Sequence, residues 1–350
     1  MKTDIVKAHD ILSAGFRTDA SYHLSEGVEV KRQIALSPYP CITVGDVASR
    51  IFHAGRWKRS YVSSKEHGIE LIGSSDMLQA DLSDIKLISR KYTPDIEDKK
   101  LKRDWILISC SGTIGNTVYT TNQHAEKLAS QHVIRIIPNN ILRTGFVYSF
   151  LSTSYGYNLL TQGTFGAVIQ HINPEHLENI PIPNAPENLK RQIHELIVKS
   201  YALRDESNDL IDEATQILIS ELELPDIDDF QNEKIFSVNV KNLFGRLDAS
   251  YHAPIVSRLV EHLKKHAAEV TTIGNSRISK KIILAGVFKR VYVEKEFGYP
   301  FLGGKEITQL NPKTEKFLSK AIHKSRYEKE NPVQSRLSGH VAEFRQVPTT

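Results

Sequence analysis

Two stretches of this sequence place cationic side chains next to aromatic rings, a combination that can bind nucleic acid. Residues 55–62 read GRWKRSYV and residues 286–293 read GVFKRVYV. Lysine and arginine neutralise backbone phosphates, and aromatic rings can rest on sugars or bases. The alternative is a solvated surface around a buried ring, which is common. Because the pattern occurs twice, we predict DNA contacts by Arg56, Lys58 and Arg59, with Lys289 and Arg290 as their counterparts.

A short polar stretch could add base contacts to these phosphate contacts. Ser74, Ser75 and Gln79 follow the apolar segment GIELIG. Their hydroxyl and amide groups are able to form hydrogen bonds with base edges. We therefore take these three residues as further candidates, for base reading.

The same search finds no catalytic or metal-binding constellation. The letters PDIEDK at 94–99 resemble a nuclease metal site, but Asp95 and Glu97 stand only two residues apart, whereas such a site takes carboxylates from separate strands. His171 and His176 lack the HExxH spacing and have no cysteine beside them. We predict that the chain is not an enzyme and that it binds no metal or cofactor of its own.

A glycine-rich stretch, SCSGTIG at 109–115, follows the apolar segment WILIS. A turn of this kind could cradle a phosphate, but it lacks the GxxxxGK[ST] and GxGxxG patterns of nucleotide-binding loops. We predict a tight turn between two strands, in which Gly112 and Gly115 supply unusual backbone angles.

Composition limits the class of protein. The 350 residues are 40% hydrophobic and 25% charged, as in a globular chain of two or more domains. No apolar run approaches 18 residues, the short apolar run at the N-terminus is flanked by charges, and Cys41 and Cys110 are isolated. We expect a cytoplasmic protein that does not contact a membrane. Its net charge of +4 is compatible with a nucleic-acid partner.

The sequence repeats itself at an almost constant distance. RTDASYH at 17–23 returns as RLDASYH at 246–252, with six of seven letters identical. The two cationic stretches and three further pairs of segments follow in the same order, at separations of 229 to 231 residues. Such a long period indicates a duplicated domain.

The second copy stops matching the first before it is complete. By the repeat distance, residues 99–186 of the first copy would correspond to about 329–416, and residues 339–345 read GHVAEFR where SCSGTIG should recur. We therefore expect a truncated second domain, followed by a non-matching tail for which disorder is one explanation.

A long helix is predicted between the two copies. Residues 186–224 contain no glycine and no proline after Pro186, and Pro225 ends the run. A narrow apolar seam with a period of seven is typical of a helix in a coiled coil. We expect the seam residues to pair with another helix; they are Leu196, Leu203, Leu210, Ile217 and Leu224.

The rest of the first copy consists mainly of short apolar runs between turns. These runs predict strands at 39–47, 105–121, 131–139, 167–172 and 179–183, and only residues 145–160 look helical. The predicted fold class is α+β, with duplicated domains of mixed strands and helices joined by the long coiled-coil helix. The predicted boundaries are 1–185 for the first domain, 186–224 for the helix, 225–330 for the second domain and 331–350 for the tail.

Residues 15–224 carry LISCSGTIGN, ASQHVIRIIP, VYSFLSTSYG and GAVIQHINPEHLENIPIPNAP, followed by the long helix that begins at NLKRQI. In this order and spacing they resemble the target-recognition domain and spacer helix of the specificity subunit of type I restriction-modification enzymes. Residues 245–327 resemble part of a second such domain. The resemblance implies a non-catalytic subunit whose two domains each read one half of a split site on double-stranded DNA. Two antiparallel helices would fix the distance between the halves.

The resemblance also implies partners. Modification subunits would supply the adenine methyltransferase and bind S-adenosylmethionine, and a restriction subunit, which is a motor and nuclease, would use ATP and Mg2+. Because a second long helix is missing from this sequence, two chains could rebuild the antiparallel pair as a homodimer. Two alternatives stay open: a duplicated protein-interaction scaffold that does not bind DNA, and an inactive truncated remnant.

Overall fold

The computed structural model describes residues 3–165, 170–225, 235–243, 245–280, 282, 286–309, 312 and 314–330. The predicted tail at 331–350 lies outside the described residues. The chain divides into two compact units, Met1–Ser207 with Gly303–Lys313, and Asn208–Leu302 with Thr314–Thr350. In the described part, no helix is both long enough and apolar enough to cross a membrane.

The first unit combines short helices with three small sheets. Its helices are α1 (Ala8–Ser13), α2 (Ala20–His23), α3 (Glu26–Ala35), α4 (Val44–Val47), α5 (Ile96–Lys99), α6 (Thr144–Leu151), α7 (Ser154–Gln162), α8 (Pro174–Glu178) and the first part of α9 (Glu187–Glu221). Its strands are β1 (Cys41–Thr43), β2 (Ala48–His53), β3 (Tyr61–Val62), β4 (Gly68–Ile72), β5 (Leu87–Ser89), β6 (Ile106–Ser109), β7 (Thr117–Tyr119), β8 (Leu128–Ala129), β9 (Val133–Pro138) and β10 (Pro181–Pro183).

The centre of the first unit is an antiparallel sheet in the order β2-β9-β6-β7. Strand β6 is buried along its whole length, because both faces of the sheet are covered. Ile106 and Ile108 pack with residues of α6 and α7, whereas Leu107 packs in a separate cluster, as the alternation of side chains along a strand requires. The strands predicted at 105–121 and 131–139 are confirmed.

Two further sheets complete the unit. One has the order β3-β5-β4-β8, with β4 and β8 parallel. The other pairs β1 with β10, where Ile42 stands opposite Ile182, and confirms the strand predicted at 179–183. The strand predicted at 39–47 is confirmed only at residues 41–43, because the side chain of Thr43 accepts a hydrogen bond from the amide of Asp46 and begins α4 there. Of the strand predicted at 167–172, residues 167–169 lie outside the described residues.

The single helix predicted at 145–160 is wrong in detail, because the structure has two helices there. The Oγ1 of Thr153 accepts a hydrogen bond from the amide of Gly156 and so begins α7. A Cβ at Gly156 would stand 2.4 Å from the Cα of Leu151, so only glycine fits where the chain turns. Helix α3 was also not expected, although its Val30 and Ile34 belong to the core.

The long helix is confirmed as α9, which has 35 residues and a length of roughly 50 Å at 1.5 Å per residue. Leu224, however, lies beyond its end and is not part of a helical seam. Glu223 has a φ of 47°, and the amide of Leu224 donates to the carbonyl of Ile219 at 2.9 Å. This left-handed reversal, followed by Pro225, ends the helix before the fifth position of the predicted repeat.

One face of α9 is docked on the first unit. Lys190, His194 and Tyr201 are buried there. The hydroxyl of Tyr201 donates to the hydroxyl of Tyr148 at 2.8 Å and accepts from the amide of Tyr119 at 3.2 Å. Burial raises the pKa of Tyr201 well above its usual value, so this contact stays neutral.

The predicted seam lies on the other side of α9. Residues two positions apart differ by a rotation of about 200° around the helix axis. Leu196 therefore lies opposite the buried His194, and Leu203 lies opposite the buried Tyr201. The four seam residues within the helix are 54% to 66% exposed: Leu196, Leu203, Leu210 and Ile217. Their pairing with another helix stays a prediction.

The second unit repeats part of the first. Its described elements are α10 (Pro254–His266), β11 (Tyr292–Val293), β12 (Gly298–Pro300), β13 (Phe317–Ser319) and α11 (Lys320–Glu330), besides the rest of α9. The strand order β11-β13-β12 reproduces β3-β5-β4. The pairing register is also the same. Tyr61 pairs with Ile88 as Tyr292 pairs with Leu318. Gly68 pairs with Ser89 as Gly298 pairs with Ser319. The duplicated fold is confirmed.

The repeated phrase folds into the same turn in both copies. Arg17 donates two hydrogen bonds of 2.8 Å to the carboxylate of Asp19, and Arg246 donates two of 2.8 and 2.6 Å to Asp248. A histidine six residues after each arginine lies 2.7 or 2.8 Å from that arginine's carbonyl oxygen. The Arg17 guanidinium holds the pKa of the Asp19 carboxyl well below its usual value. The sequence repeat therefore preserves a local structure.

Candidate nucleic-acid interface

The first cationic stretch forms a loop, residues 54–60, between β2 and β3. Arg56 and Lys58 are exposed, and Arg59 is half-buried. The ring of Trp57 packs against a buried apolar cluster and lies 5.7 Å from the Cζ of Arg59 and 5.2 Å from the Nζ of Lys99. The tryptophan thus anchors the loop on the sheet and leaves two cations in solvent, where phosphates could reach them.

Arg59 reaches a second segment, the turn at residues 130–132 before β9. Its Nη2 donates to the Oε1 of Gln131. The Nε2 of Gln131 lies 3.0 Å from the Nε2 of His132. The cationic loop and this turn are therefore joined by side chains that sequence spacing does not connect.

A buried arginine holds this turn in place. Arg135 on β9 is fully buried, and its guanidinium donates to the carbonyl oxygens of Ala129, Ser130 and Val133. Burial lowers the pKa of Arg135 to about 10, so the side chain is still charged at neutral pH. The carbonyl dipoles stabilise the buried cation, and the cation in turn fixes the backbone on both sides of Gln131.

The loop and the turn bring two arginines and three histidines near one another. His132 is half-buried, and the ionisable side chains that act on it are Arg59, His171, Arg56 and His53. Burial and these neighbours lower the pKa of His132, which is therefore neutral at pH 7. We call this set the cationic recess: His53, Arg56, Arg59, His132 and His171.

The recess lies at one end of the central sheet. His53 is the last residue of β2, and His132 directly precedes β9, whose first residue pairs with the last residue of β6. Antiparallel pairing therefore brings the end of β2, the beginning of β9 and the end of β6 together. Ser111, just after β6, forms a β-bridge with His171.

The glycine-rich stretch is the tight turn that its sequence predicts. Gly112 and Gly115 have φ angles of 78° and 80°, between β6 and β7. The amide of Gly115 donates to the carbonyl of Ser109 at 2.9 Å, and the amide of Asn116 to the hydroxyl of Ser109 at 3.0 Å. These amides are used within the turn, so they do not form a phosphate cradle.

The acids and the second histidine that were considered for catalysis have other partners. Asp95 and Glu97 pair with neighbouring lysines at 3.9 and 2.9 Å. The Nε2 of His176 lies 2.8 Å from the carbonyl oxygen of Leu159. Within the described ranges, no group of three or more His, Cys, Asp and Glu side chains is placed to hold a metal ion.

The polar candidates for base reading lie on a different loop. Ser74 and Ser75 belong to the turn after β4. The carboxylate of Asp76 closes this turn by accepting a 2.8 Å hydrogen bond from the amide of Gly73. Gln79 forms an isolated bridge with Gln309. None of the three belongs to the cationic recess, and their contact with DNA stays a prediction.

The second cationic pair occupies the equivalent loop of the second unit, directly before β11. Lys289 and Arg290 are both exposed. The Cζ of Arg290 lies 5.1 Å from the ring of Phe301, whereas its counterpart Arg59 is bonded to Gln131. The pattern is repeated in structure, but the arginine has a different neighbour.

Sequence reasoning missed much of the recess. It identified Arg56 and Arg59, considered His171 only as a metal ligand, and did not include His53, Gln131 or His132. A signal was present, because QH at 131–132 is a polar pair directly before the buried strand VIRIIP. The convergence of the three segments could not be read, because it depends on how β2, β9 and β6 pair.

The fold and the candidate site can now be compared with a known protein family. The first unit is an α+β domain with positive charge at one end of its central sheet, and α9 carries an exposed apolar seam. The family model of the type I restriction modification DNA specificity domain matches residues 39–211, which include the strands of this unit and most of α9. Residues 39–211, just under half of the chain, are therefore similar to this family of DNA specificity domains.

Solved structures with similarity to this chain include one from M. genitalium and one from Thermoanaerobacter tengcongensis. The S subunit of a type I restriction-modification system from M. genitalium is 18% identical, with a TM-score of 0.28, over 54% of this chain and 44% of its own. The HsdS subunit from Thermoanaerobacter tengcongensis is 14% identical, with a TM-score of 0.36, over 52% and 46%. This chain therefore spans less than half the length of these two. Among curated proteins there is no match.

Proposed function

We propose that this chain is the DNA sequence-recognition subunit of a type I restriction-modification complex. It is a non-catalytic subunit that binds double-stranded DNA and directs methylation or cleavage by partner subunits. The observation that carries the proposal is the match of residues 39–211 to the DNA specificity family. The cationic recess and the exposed Arg56 and Lys58 support it, because positive side chains at one end of a sheet suit a phosphate backbone. We place the protein in the cytoplasm, in defence against phage DNA.

The duplicated fold supports a split DNA target. The register of β3-β5-β4 returns in β11-β13-β12, and the loops before β3 and β11 carry matching Lys-Arg pairs. Two related surfaces would each read one half of the site. The long helix between them would set the distance between the halves.

The charges on α9 favour a second copy of the chain as the helix partner. Residues 187–204 contain four lysines and arginines against two glutamates, whereas residues 205–221 contain six acidic residues and no lysine or arginine. An antiparallel pair places the basic half of one helix beside the acidic half of the other. A parallel pair would place the two acidic halves together. The exposed seam would then be covered in an antiparallel homodimer.

Other subunits would supply the chemistry. Modification subunits would bind S-adenosylmethionine and methylate adenine, and a restriction subunit would use ATP and Mg2+. This chain would bind none of these cofactors and would position the partners on their DNA target.

The proposal is tested by expressing the full chain with the modification subunits in cells without other adenine methylation. Sequencing of methylated adenines should yield one short motif in two parts, and a mobility shift assay should show that the complex retards DNA containing it. A genome without methylation, together with no retarded DNA, would contradict the proposal and favour a protein-interaction scaffold.

A further inference from the structure

The amide of Gln131 is held between a cation and an imidazole. Arg59 donates to its Oε1, and its Nε2 lies 3.0 Å from the Nε2 of His132. A guanidinium has only donors, so the atom that faces Arg59 has to be the oxygen. The amide nitrogen therefore faces His132, and the orientation of the amide is fixed.

The protonation state of His132 agrees with this orientation. The amide nitrogen donates, so the Nε2 of His132 has to accept and the ring has to be neutral. Burial, and after it the positive charge of Arg59, disfavours a protonated ring at this position. Only one of the two amide hydrogens of Gln131 is used in this contact, and the oxygen has a second lone pair.

The backbone of the turn is fixed as well. The amide of Ser130 donates to the carbonyl of Ile72 at 2.9 Å, and the amide of Cys110 donates to the carbonyl of His132 at 2.9 Å. The buried guanidinium of Arg135 holds the carbonyls of Ala129 and Ser130. A side chain on this turn loses little freedom when it binds, which favours specific recognition.

We propose that Gln131 is a base-reading residue of this domain and that Arg59 is the positioning residue that fixes its amide. The second hydrogen on Nε2 donates to N7 of an adenine, and the second lone pair of Oε1 accepts from its N6 amino group in the major groove. The exposed Arg56 meets a neighbouring phosphate. This inference rests on the proposed function and adds the residue and the base to it.

Two substitutions test the reading residue in the full chain with its modification subunits. For Gln131→Ala, a random-sequence duplex library and the methylated motif should both lose the adenine preference at one position, by roughly 5- to 100-fold in relative affinity. Gln131→Glu keeps the partner of Arg59 but replaces the amide donor with an acceptor, so cytosine should replace adenine at that position. Gln33→Ala, on α3, is the matched control and should leave the motif unchanged.

A third substitution separates positioning from charge. Arg59→Lys keeps the charge but loses the planar guanidinium, so affinity for DNA without the motif should stay within about twofold while the adenine preference falls. A merely structural or electrostatic role for Arg59 would change affinity for all sequences equally.

Failure of this inference can be distinguished from failure of the proposed function. If the wild-type complex binds no DNA and methylates no motif, the proposed function is wrong. If the wild-type complex has a motif, and both Gln131 variants select it with unchanged preference at every position, the function stands and Gln131 does not read the base.

Discussion

Buried basic side chains in the first unit keep or lose their charge according to their immediate partners. Arg135 stays charged because carbonyl oxygens surround its guanidinium. His124 is 4% exposed, and its Nδ1 accepts a 3.1 Å hydrogen bond from the amide of Thr121. Burial lowers the pKa of His124 to about 4, because no comparable set of acceptors stabilises an imidazolium there.

The stability of the first unit should therefore decrease in acid. The unfolded chain protonates His124 near its ordinary pKa of 6.5, whereas the folded chain protonates it only near 4. The unfolded state then binds more protons, so stability is complete above pH 6.5 and falls as the pH decreases towards 4. Between pH 7.5 and pH 5, His124 by itself is expected to contribute a loss of about 2 kcal/mol of unfolding free energy.

Urea unfolding followed by tryptophan fluorescence measures this loss, because Trp57 and Trp105 are the two tryptophans of the chain and both lie in the first unit. His124→Leu is the comparison variant. Over the same pH range, its unfolding free energy should fall by about 2 kcal/mol less than that of the wild-type protein. An equal pH dependence in both proteins would contradict the assignment to His124.

The exposed cations of the loop should contribute affinity without specificity. Replacing Arg56 and Lys58 together by alanine removes two exposed positive charges. Binding to every duplex should weaken, and the slope of log K against log salt should become shallower by about two units, since each phosphate contact contributes about 0.9. Fluorescence anisotropy over a salt series measures the slope.

The control for this experiment is Arg32→Ala on α3, where the arginine is 3.6 Å from Glu29 and exposed. It should leave the slope unchanged. If the double variant retains the wild-type slope, the loop is solvated surface and does not contact phosphate.

At the scale of elements, α9 is a helix with two different faces. The docked face has polar and aromatic residues whose hydrogen bonds fix the helix to the first unit, as at Tyr201. The other face carries an exposed apolar seam, which is typical of pairing with another helix. This division lets one helix be rigidly attached to a domain and still be open to a partner.

Antiparallel pairing of two copies predicts which positions meet. Leu196 and Ile217 are 21 residues apart, about 30 Å along the helix, so a disulfide can join them only across an antiparallel pair. In a Cys41→Ser background, chains carrying Leu196→Cys and Ile217→Cys should form the mixed disulfide on oxidation. Tagged chains on a non-reducing gel show which pairs form.

Arg191→Cys is the control for this crosslink, because residue 191 is exposed but lies away from the seam, about 140° round the helix from Leu196. It should not form a disulfide with Ile217→Cys. A disulfide between two Leu196→Cys chains would indicate parallel pairing, and monomers in sedimentation at all concentrations would exclude the homodimer.

At the scale of the whole molecule, duplication explains the arrangement of the chain. Equivalent strands, their register and the Arg–Asp turn recur about 230 residues apart. Within the described residues the second unit has counterparts of β3, β4 and β5, and none of the central sheet of the first unit. The two copies therefore differ most at the recess, which needs β6 and β9.

Sequence alone determined the features that depend on local pattern. The repeat, the long helix, the glycine turn and the cationic loops each follow from spacing or from backbone preferences within a short segment. Even there, tertiary contacts changed details: the close approach of Gly156 to Leu151 divides one predicted helix into two, and the reversal at Glu223 excludes Leu224 from the seam.

Only the tertiary structure decided which residues meet. Arg59 and Gln131 are 72 positions apart, and they come together because β2, β9 and β6 pair at one end of the sheet. Strand pairing of this kind depends on contacts that are distant in sequence, and no local preference encodes it. The same holds for α9. Its heptad pattern predicted the apolar seam, but only the tertiary structure shows that the opposite face of the helix packs on the first unit.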